Sequence, residues 1–220
     1  MARFAFYELN ARNAAVLYDV ANEYNRTVAQ IFIASFTALG GAVQGYEYTT
    51  GQQDFTETMK KIAQQQPDVL FLPNYYNEVL LQIPQARQMG LNVPIIGTDT
   101  WGGLKAENYA EVDSTFYASH WHVDSPQQQS QDFVALYQNT YGTIPIATAA
   151  MTYDAINLLA DAIQQANTLE GAAIADALRT ADLNGVSGVI RYTGDGDPVK
   201  SAVILQIKDG ELKVYKLYNP

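Results

Sequence analysis

The chain has 220 residues, of which 48% are hydrophobic, so it can bury one substantial core or two small ones. Its formal net charge of −10 makes nucleic acid an unfavourable partner, because phosphate binding needs a basic surface, and it disfavours anionic membrane surfaces for the same reason. The absence of cysteine excludes disulfides and thiolate metal sites.

The first four residues run into an amphipathic stretch, not into a signal peptide. No apolar segment approaches the roughly 20 residues that span a bilayer. From the sequence alone we therefore expect no membrane insertion, and we expect the chain as written to stay in the cytoplasm, where it is made.

Strand and helix patterns alternate through the first half of the chain. After a helix end at residues 3–9, apolar runs predict five strands, and apolar residues at helical spacing predict four helices between them. The strands are expected at 14–18, 43–48, 68–72, 93–97 and 115–119, and the helices at 27–39, 54–66, 78–88 and 104–109. This order predicts an α/β fold with a doubly wound parallel sheet that is complete by about residue 119.

Local signals refine the helices. Residues 20–25 are expected to form the loop before the first helix, and Asp54 followed by Glu57 predicts a capping box for the second. Pro84 lies inside the third helix, where it removes one backbone hydrogen bond and is expected to bend the helix.

The second half follows a different pattern. A linker at 120–126 precedes three predicted helices at 128–141, 149–166 and 172–180, and then residues 188–192, 202–207 and 212–217 predict a β-meander. The three helices have apolar faces but few strands of their own. Part of a sheet is therefore missing, or another molecule supplies it.

Polar and aromatic residues follow two neighbouring strands of the predicted sheet. Asn74, Tyr75 and Tyr76 follow the third strand, and Asp99 and Trp101 follow the fourth. Because ligands of such sheets bind beyond the carboxyl ends of the strands, these residues mark a candidate binding site for a small polar molecule.

Metal binding and catalysis have weak signals. His120 and His122 alternate at a strand end and would point in opposite directions, so we expect no metal site with Asp124. Asp195 and Asp197 resemble part of a calcium loop, but a hairpin turn is the better interpretation because the spacing and the closing Glu are absent.

No nucleophile elbow, phosphate loop or paired Ser and His is present in the sequence, so we expect neither an enzyme nor a cofactor. Asp19 at the end of the first strand invites comparison with phosphoacceptor receiver domains. Those domains need an acidic pair before that strand and a lysine at a later strand end, and neither stands at the matching place.

Several spaced motifs together resemble the branched-chain amino-acid binding proteins of ABC importers, the type I periplasmic binding family. The motifs are Val16-Leu17-Tyr18-Asp19-Val20-Ala21-Asn22-Glu23-Tyr24, Thr49-Thr50-Gly51 with Asp54-Phe55, Pro67-Asp68-Val69, Tyr75-Tyr76-Asn77-Glu78, Gln85-Ala86-Arg87 with Gly90, and Gly185-Val186-Ser187-Gly188 with Asp197-Pro198-Val199-Lys200. The resemblance covers nearly the whole chain.

The resemblance implies that residues 1–119 are a flavodoxin-like second lobe of a two-lobed receptor. Residues 120–201 would be the helical segment that returns to the first lobe, and residues 202–220 the strands that return to the second. The family's first lobe opens with a hundred or more residues that this sequence lacks, so we interpret Met1 as the start of a fragment.

The resemblance also implies roles for individual residues. Asp99 matches the carboxylate that meets a ligand's ammonium, Tyr75 and Tyr24 match tyrosines that enclose it, Trp101 would form a wall beside Asp99, and Asn74 is a weaker candidate. The alternatives stay open: Asp99 can cap the following helix, the tyrosines can cover the sheet edge, and Trp101 can serve packing alone.

The expected function is amino-acid or small-amine binding for an ABC permease, with millimolar affinity or none because one lobe is absent. A ligand-sensing receptor domain, or a stand-alone flavodoxin-like domain, is the alternative. The helices at 128–180 are expected to pack on the lobe's own sheet or on a partner chain, a domain-swapped homodimer being favoured. Family members are periplasmic or lipid-anchored outside the cell.

Overall fold

The computed structural model describes residues 1–194 and 196–218, and the chain divides into two compact units. The first, here called the sheet unit, combines Met1–Ala118 with Leu205–Lys213. The second, here called the helical unit, contains Ser119–Ile204 and the end of the chain from Val214.

The regular elements alternate strand and helix at first and then become mainly helical. In chain order they are β1 (Asn13–Asp19), α1 (Glu23–Ala38), β2 (Ala42–Tyr48), α2 (Thr56–Gln64), β3 (Val69–Leu72), α3 (Tyr76–Gln88), β4 (Ile95–Gly97), β5 (Thr115–Ser119), α4 (Gln128–Tyr141), α5 (Ala147–Ala166), α6 (Gly171–Leu178), β6 (Asp182–Gly185), β7 (Gly188–Tyr192), β8 (Pro198–Lys200), β9 (Ala202–Lys208) and β10 (Glu211–Tyr218).

Seven strands form one sheet in the order β10-β9-β5-β4-β3-β1-β2. The pairs β1–β2, β1–β3, β3–β4 and β4–β5 are parallel. The order β2-β1-β3-β4-β5 is that of flavodoxin-like sheets, so the predicted α/β fold is confirmed. The carboxyl ends of β1, β3 and β4 consequently lie at one edge of the sheet.

Burial explains the central position of β3. Its four residues are all buried, as expected for a strand covered on both faces. On α1, Phe32 and Phe36 are buried, and the Phe32 ring stacks on that of Phe71 with centroids 4.2 Å apart. The outermost strand β2, by contrast, consists of exposed and half-buried residues apart from the buried Tyr48.

Two helix starts differ from the sequence-based prediction. The first helix begins at Glu23, within the predicted loop, because the Asn22 side chain accepts a hydrogen bond from the backbone of Asn25 at 3.1 Å and so caps it. The second begins at Thr56, where Asp54 Oδ1 accepts from the Thr56 backbone at 2.9 Å, without the predicted capping box.

Short irregular helices replace two other predictions. A π-helical turn occupies Phe4–Glu8, and a 3-10 segment occupies Asp99–Gly103, between the predicted fourth strand and the predicted fourth helix. The predicted helix at 104–109 is reduced to a 3-10 turn at Ala106–Asn108. Helix α3 continues through Pro84, as expected.

The helical unit has its own core and a small sheet. The three predicted helices are confirmed as α4, α5 and α6. Its core cluster contains Trp121, Phe133, Val134, Ala150 and Val186. None of the helices within residues 1–194 and 196–218 has the length and apolar character that a membrane crossing demands.

The strands predicted near the C-terminus are confirmed and include an antiparallel sheet, but they belong to two sheets and not to one meander. Strand β7 pairs antiparallel with β6 and β8 in a separate three-stranded sheet, whereas β9 and β10 join the large sheet. The polar sequence of Asp182–Gly185 and the three-residue length of β8 hid two strands from a search for apolar runs. Asp195, in the turn once compared with a calcium loop, lies outside the described residues.

Candidate ligand-binding site

Three parallel strands bring three of the predicted site residues to the same sheet edge. Tyr24 lies in the first turn of α1 after β1, Tyr75 caps the start of α3 after β3, and Asp99 opens the 3-10 segment after β4. Because β3 pairs with both β1 and β4, the loops after these strands are neighbours.

The side chains of these residues meet at the surface. The Tyr24 hydroxyl donates a hydrogen bond to Asp99 Oδ1 at 2.7 Å, and the rings of Tyr24 and Tyr75 lie 6.2 Å apart between centroids. Tyr24 is 38% exposed, Tyr75 is 40% exposed, and Asp99 is exposed. We call these three residues the rim cluster: it presents one carboxylate and two aromatic rings to solvent.

The electrostatics of the rim cluster keep Tyr24 as a hydrogen-bond donor. Partial burial raises the pKa of Tyr24 above its ordinary value, and the hydrogen bond to the Asp99 carboxylate raises it further. The phenol therefore stays protonated at neutral pH and orients the carboxylate, while the ring faces remain available to an aliphatic or cationic group.

Asn74 is not at the surface. It is fully buried, and its side-chain amide donates to the Leu17 carbonyl at 2.9 Å and to Gln82 Oε1 at 2.8 Å. The prediction that Asn74 faces a ligand needs correction, because both side-chain donors are engaged inside the protein.

Trp101 is also fully buried, and the structure favours the packing alternative for it. Its ring lies 5.9 Å from that of Tyr117 and covers Gly97, where an added Cβ would come within 2.1 Å of the indole. Trp101 therefore forms no exposed wall beside Asp99. A glycine four residues before a tryptophan, at the end of a buried strand, is the sequence signal that could have predicted this packing.

The second tyrosine of the pair after β3 lies beside the rim cluster. Tyr76 is exposed, but one face of its ring covers Gly103, where an added Cβ would lie 2.3 Å from the ring. Neither Tyr75 nor Tyr76 is buried.

Asp19 has a structural environment. It is buried at the end of β1, Oδ1 accepts from the Ala21 backbone at 2.8 Å, and Oδ2 accepts from the Thr50 hydroxyl. These bonds hold the loops after β1 and β2 together. The phosphoacceptor comparison gains no support from a carboxylate enclosed in this way.

The histidine-containing loop forms a local turn. His122 Nδ1 accepts from the Asp124 backbone at 3.3 Å and lies 3.5 Å from the Asp124 carboxylate. Burial lowers the pKa of His122, and the nearby Asp124 opposes this effect. Over the part of the chain that the structure describes, no group of three or more acidic or histidine side chains is arranged to hold a metal ion.

Sequence comparison matches residues 1–211 to the model of a periplasmic binding protein family. Among solved structures, the leucine-binding protein LivK from Thermotoga maritima is 32% identical, with a TM-score of 0.89. The alignment covers 100% of this chain and 64% of LivK, so the chain spans just under two thirds of that protein's length.

Two further structures show the range of ligands bound by similar folds. The branched-chain amino acid binding protein LivJ from Streptococcus pneumoniae, solved with isoleucine, is 25% identical with a TM-score of 0.81, and the alignment covers 100% of this chain and 63% of LivJ. A solute-binding protein from R. palustris, solved with benzoate, is 21% identical with a TM-score of 0.79. The alignment covers 98% of this chain and 61% of that protein, and at this identity the similarity shows the fold alone.

Proposed function

The chain belongs to the periplasmic binding protein family, and from that premise we propose that it is a solute-binding component of an ABC transport system. Its rim cluster receives the ammonium group of an amino acid or a related small amine. The observation that carries this proposal is the hydrogen bond that orients the exposed Asp99 carboxylate against the Tyr24 hydroxyl, beside two aromatic rings.

The chemistry of the rim cluster fits an ammonium. A charge-assisted hydrogen bond between an ammonium and a carboxylate contributes about 1.5–3 kcal/mol. A cation over the face of an exposed tyrosine adds about 0.5–1 kcal/mol. The Asp99 carboxylate would repel an anion, and an uncharged sugar would lack both the ion-pair attraction to Asp99 and the cation–π attraction to the tyrosines, so the cluster favours amines over these ligands.

The similar proteins support an amino acid as the ligand class. LivK is a leucine-binding protein and LivJ was solved with isoleucine. The protein solved with benzoate shares the fold, but benzoate has no ammonium group. Benzoate is therefore an informative negative ligand. Transfer of a bound amino acid to an ABC permease is part of the same proposal.

The proposed affinity of this chain is low. The two tyrosines keep about two fifths of their surface exposed, so a ligand on the rim cluster stays partly in water. Binding of a small molecule on an open surface must offset its lost rotational and translational freedom with few contacts. We therefore expect dissociation constants in the millimolar range at best.

We also propose that the chain forms a homodimer in which each copy covers an apolar groove in the helical unit of the other. The two copies exchange equivalent segments in this dimer. A groove of about 610 Å³ lies between α4 and α5, and aromatic and aliphatic side chains line it. These side chains include Phe133, Leu136, Tyr141, Ile146 and Ile156. Such a surface is unfavourable in water at about 25 cal/mol per Å².

Calorimetry with a ligand panel tests the binding proposal. Leucine, isoleucine, an amino-acid amide and an amine are expected to bind, whereas benzoate is expected not to bind. The variant Asp99→Ala is expected to abolish the binding of all amines. Equal binding of amines by the unchanged protein and by Asp99→Ala would refute the role of the rim cluster. The cellular location of this chain stays a prediction from the family.

A further inference from the structure

The two tyrosines of the rim cluster each have an asparagine as a direct chain neighbour. Asn25 follows Tyr24 and Asn74 precedes Tyr75, and both asparagines are fully buried. Beneath the surface the Asn25 side chain donates to Asn74 Oδ1 at 3.4 Å. The loops that carry the two tyrosines are therefore joined below the rings as well as at the surface.

The Asn74 side chain connects three elements of the sheet unit. Its two donors reach the Leu17 carbonyl on β1 and the Gln82 side chain on α3, and its oxygen accepts from Asn25 on α1. Only an uncharged amide combines two donors and an acceptor in so small a side chain. Leucine of similar size would leave the buried Leu17 carbonyl and Gln82 oxygen without these donors.

The main chain of Asn74 adds the third loop. The Thr100 hydroxyl donates to the Asn74 carbonyl at 2.8 Å and lies 2.9 Å from the Thr98 hydroxyl. Thr98 and Thr100 flank Asp99 in the sequence. One residue thus contacts the segments that carry all three members of the rim cluster.

We propose that Asn74 is a positioning residue that fixes the distances between Tyr24, Tyr75 and Asp99. It acts from beneath the site and does not touch the ligand. The consequence for binding rests on the proposed function, but the positioning itself is a property of the protein without ligand and can be tested separately.

The test uses the Tyr24–Asp99 hydrogen bond as its readout. Protein labelled with ¹³C at tyrosine Cζ gives one resonance for each tyrosine, and Tyr24→Phe identifies that of Tyr24. The variant Asp99→Ala defines the resonance position of Tyr24 when the bond is lost. This measurement reports local geometry, which a change in overall stability alone does not move.

Two variants remove contacts of the connecting residue. Asn74→Leu removes the side-chain bonds of Asn74. Thr100→Val removes the bond to the Asn74 carbonyl, together with the contact to the Thr98 hydroxyl, while it keeps the shape of the side chain. Both are expected to move the Tyr24 resonance more than half of the way to its position in Asp99→Ala. Thr100→Ser keeps the hydroxyl and is expected to leave the resonance unchanged.

A matched control separates positioning from stability. Ser130 is fully buried in the helical unit and accepts a hydrogen bond from Trp121 Nε1 at 2.6 Å, so Ser130→Ala also removes a buried bond. It is expected to lower the melting temperature without moving the Tyr24 resonance. If Asn74→Leu fails to fold, the Thr100→Val and Thr100→Ser pair decides the question.

The possible outcomes separate the two proposals. An unmoved Tyr24 resonance in folded Thr100→Val overturns the positioning role, whatever the calorimetry shows. A moved resonance in a protein that binds no amine supports the positioning role and overturns the proposed function. If both proposals hold, leucine affinity falls by about fivefold or more in Thr100→Val and is retained in Thr100→Ser.

Discussion

Asp154 and Ser187 are joined by two hydrogen bonds inside the helical unit. Asp154 Oδ2 accepts from the Ser187 backbone at 2.8 Å and from the Ser187 hydroxyl at 2.5 Å, and its Oδ1 accepts from the Val186 backbone at 2.8 Å. The Lys200 ammonium reaches the same hydroxyl at 2.6 Å. One carboxylate on α5 therefore holds the turn between β6 and β7.

Loss of that carboxylate is expected to destabilise the protein strongly. Asp154→Ala leaves the buried backbone donors of Val186 and Ser187 without an acceptor, at a cost of about 3 kcal/mol or more. Asp161→Ala, an exposed aspartate on the same helix, is the control and should change the free energy of unfolding by less than about 0.5 kcal/mol. Urea unfolding measures the free energy of unfolding of both variants. Equal losses would contradict the role of Asp154 in holding the turn between β6 and β7.

The packing of Trp101 on Gly97 gives a second prediction. Gly97→Ala places a Cβ 2.1 Å from the indole, which must move within a filled core, so we expect destabilisation of about 3 kcal/mol. Gly102→Ala is the control, because an added Cβ there meets no atom within 4 Å. Thermal unfolding should separate the two variants, and a tolerant Gly97→Ala would show that Trp101 is loosely held.

Acidification is expected to destabilise the protein through His122. Its folded pKa is lowered by burial, so below the unfolded value of about 6.5 the unfolded chain binds more protons than the folded one. Stability contributed by neutral His122 is therefore lost as pH falls from about 6.5 through the folded pKa. Chemical unfolding between pH 7 and pH 5 should show a shallower dependence in His122→Asn than in the unchanged protein.

His120→Asn is the matched control for that experiment, since the chain has two histidines. Its stability should depend on pH as that of the unchanged protein does. If the pH dependence of stability were lost in His120→Asn and retained in His122→Asn, the effect would belong to His120 and the prediction would be contradicted.

Removal of one hydroxyl tests the rim cluster. Tyr24→Phe keeps the ring but frees Asp99 from its orienting bond, so leucine affinity is expected to fall by about fivefold, the effect of about 1 kcal/mol. Tyr76→Phe removes a neighbouring hydroxyl outside the cluster and should leave the affinity unchanged. Calorimetry at high protein concentration measures both dissociation constants, and equal losses would point to a nonspecific effect.

A charge in the apolar groove tests the proposed dimer. Ile156, 61% exposed on α5, is replaced by lysine, and dimers seen by light scattering are expected to dissociate at equal concentration. Ile31→Lys is the control because Ile31 is 60% exposed on α1 of the sheet unit. A compact monomer at all concentrations in the unchanged protein would remove the dimer proposal.

Sequence reasoning predicted the parts of this molecule that repeated patterns encode. The buried run at Val69–Leu72 and the helical spacing in α1 indicate strands that alternate with helices, and the parallel sheet of such units places Tyr24, Tyr75 and Asp99 at one edge. The burial of individual side chains was less predictable. Asn74 and Trp101 follow strand ends of this kind, yet both are buried. Asn74 donates a hydrogen bond to the Leu17 carbonyl, which is distant in sequence, and Trp101 packs on Gly97, whose lack of a side chain makes room for the indole.

Polar strands were the other gap. Asp182–Gly185 has no apolar run. The turn that joins it to β7 is held by the Asp154 carboxylate, which lies 28 or more residues earlier in the sequence. Contacts of that range leave no local periodicity. The same reason explains why the role of Asn74 beneath the rim cluster emerged only from the three-dimensional contacts.

The open border of the large sheet at β2 has a protective side chain. Glu47 is exposed near the carboxyl end of this outermost strand, and the hydroxyl of Tyr18 on β1 donates to its carboxylate at 2.9 Å. A fixed negative charge there repels the same strand of another molecule, so it discourages sheet extension into fibres. The strand's unpaired backbone groups can thus stay in water without seeding aggregation.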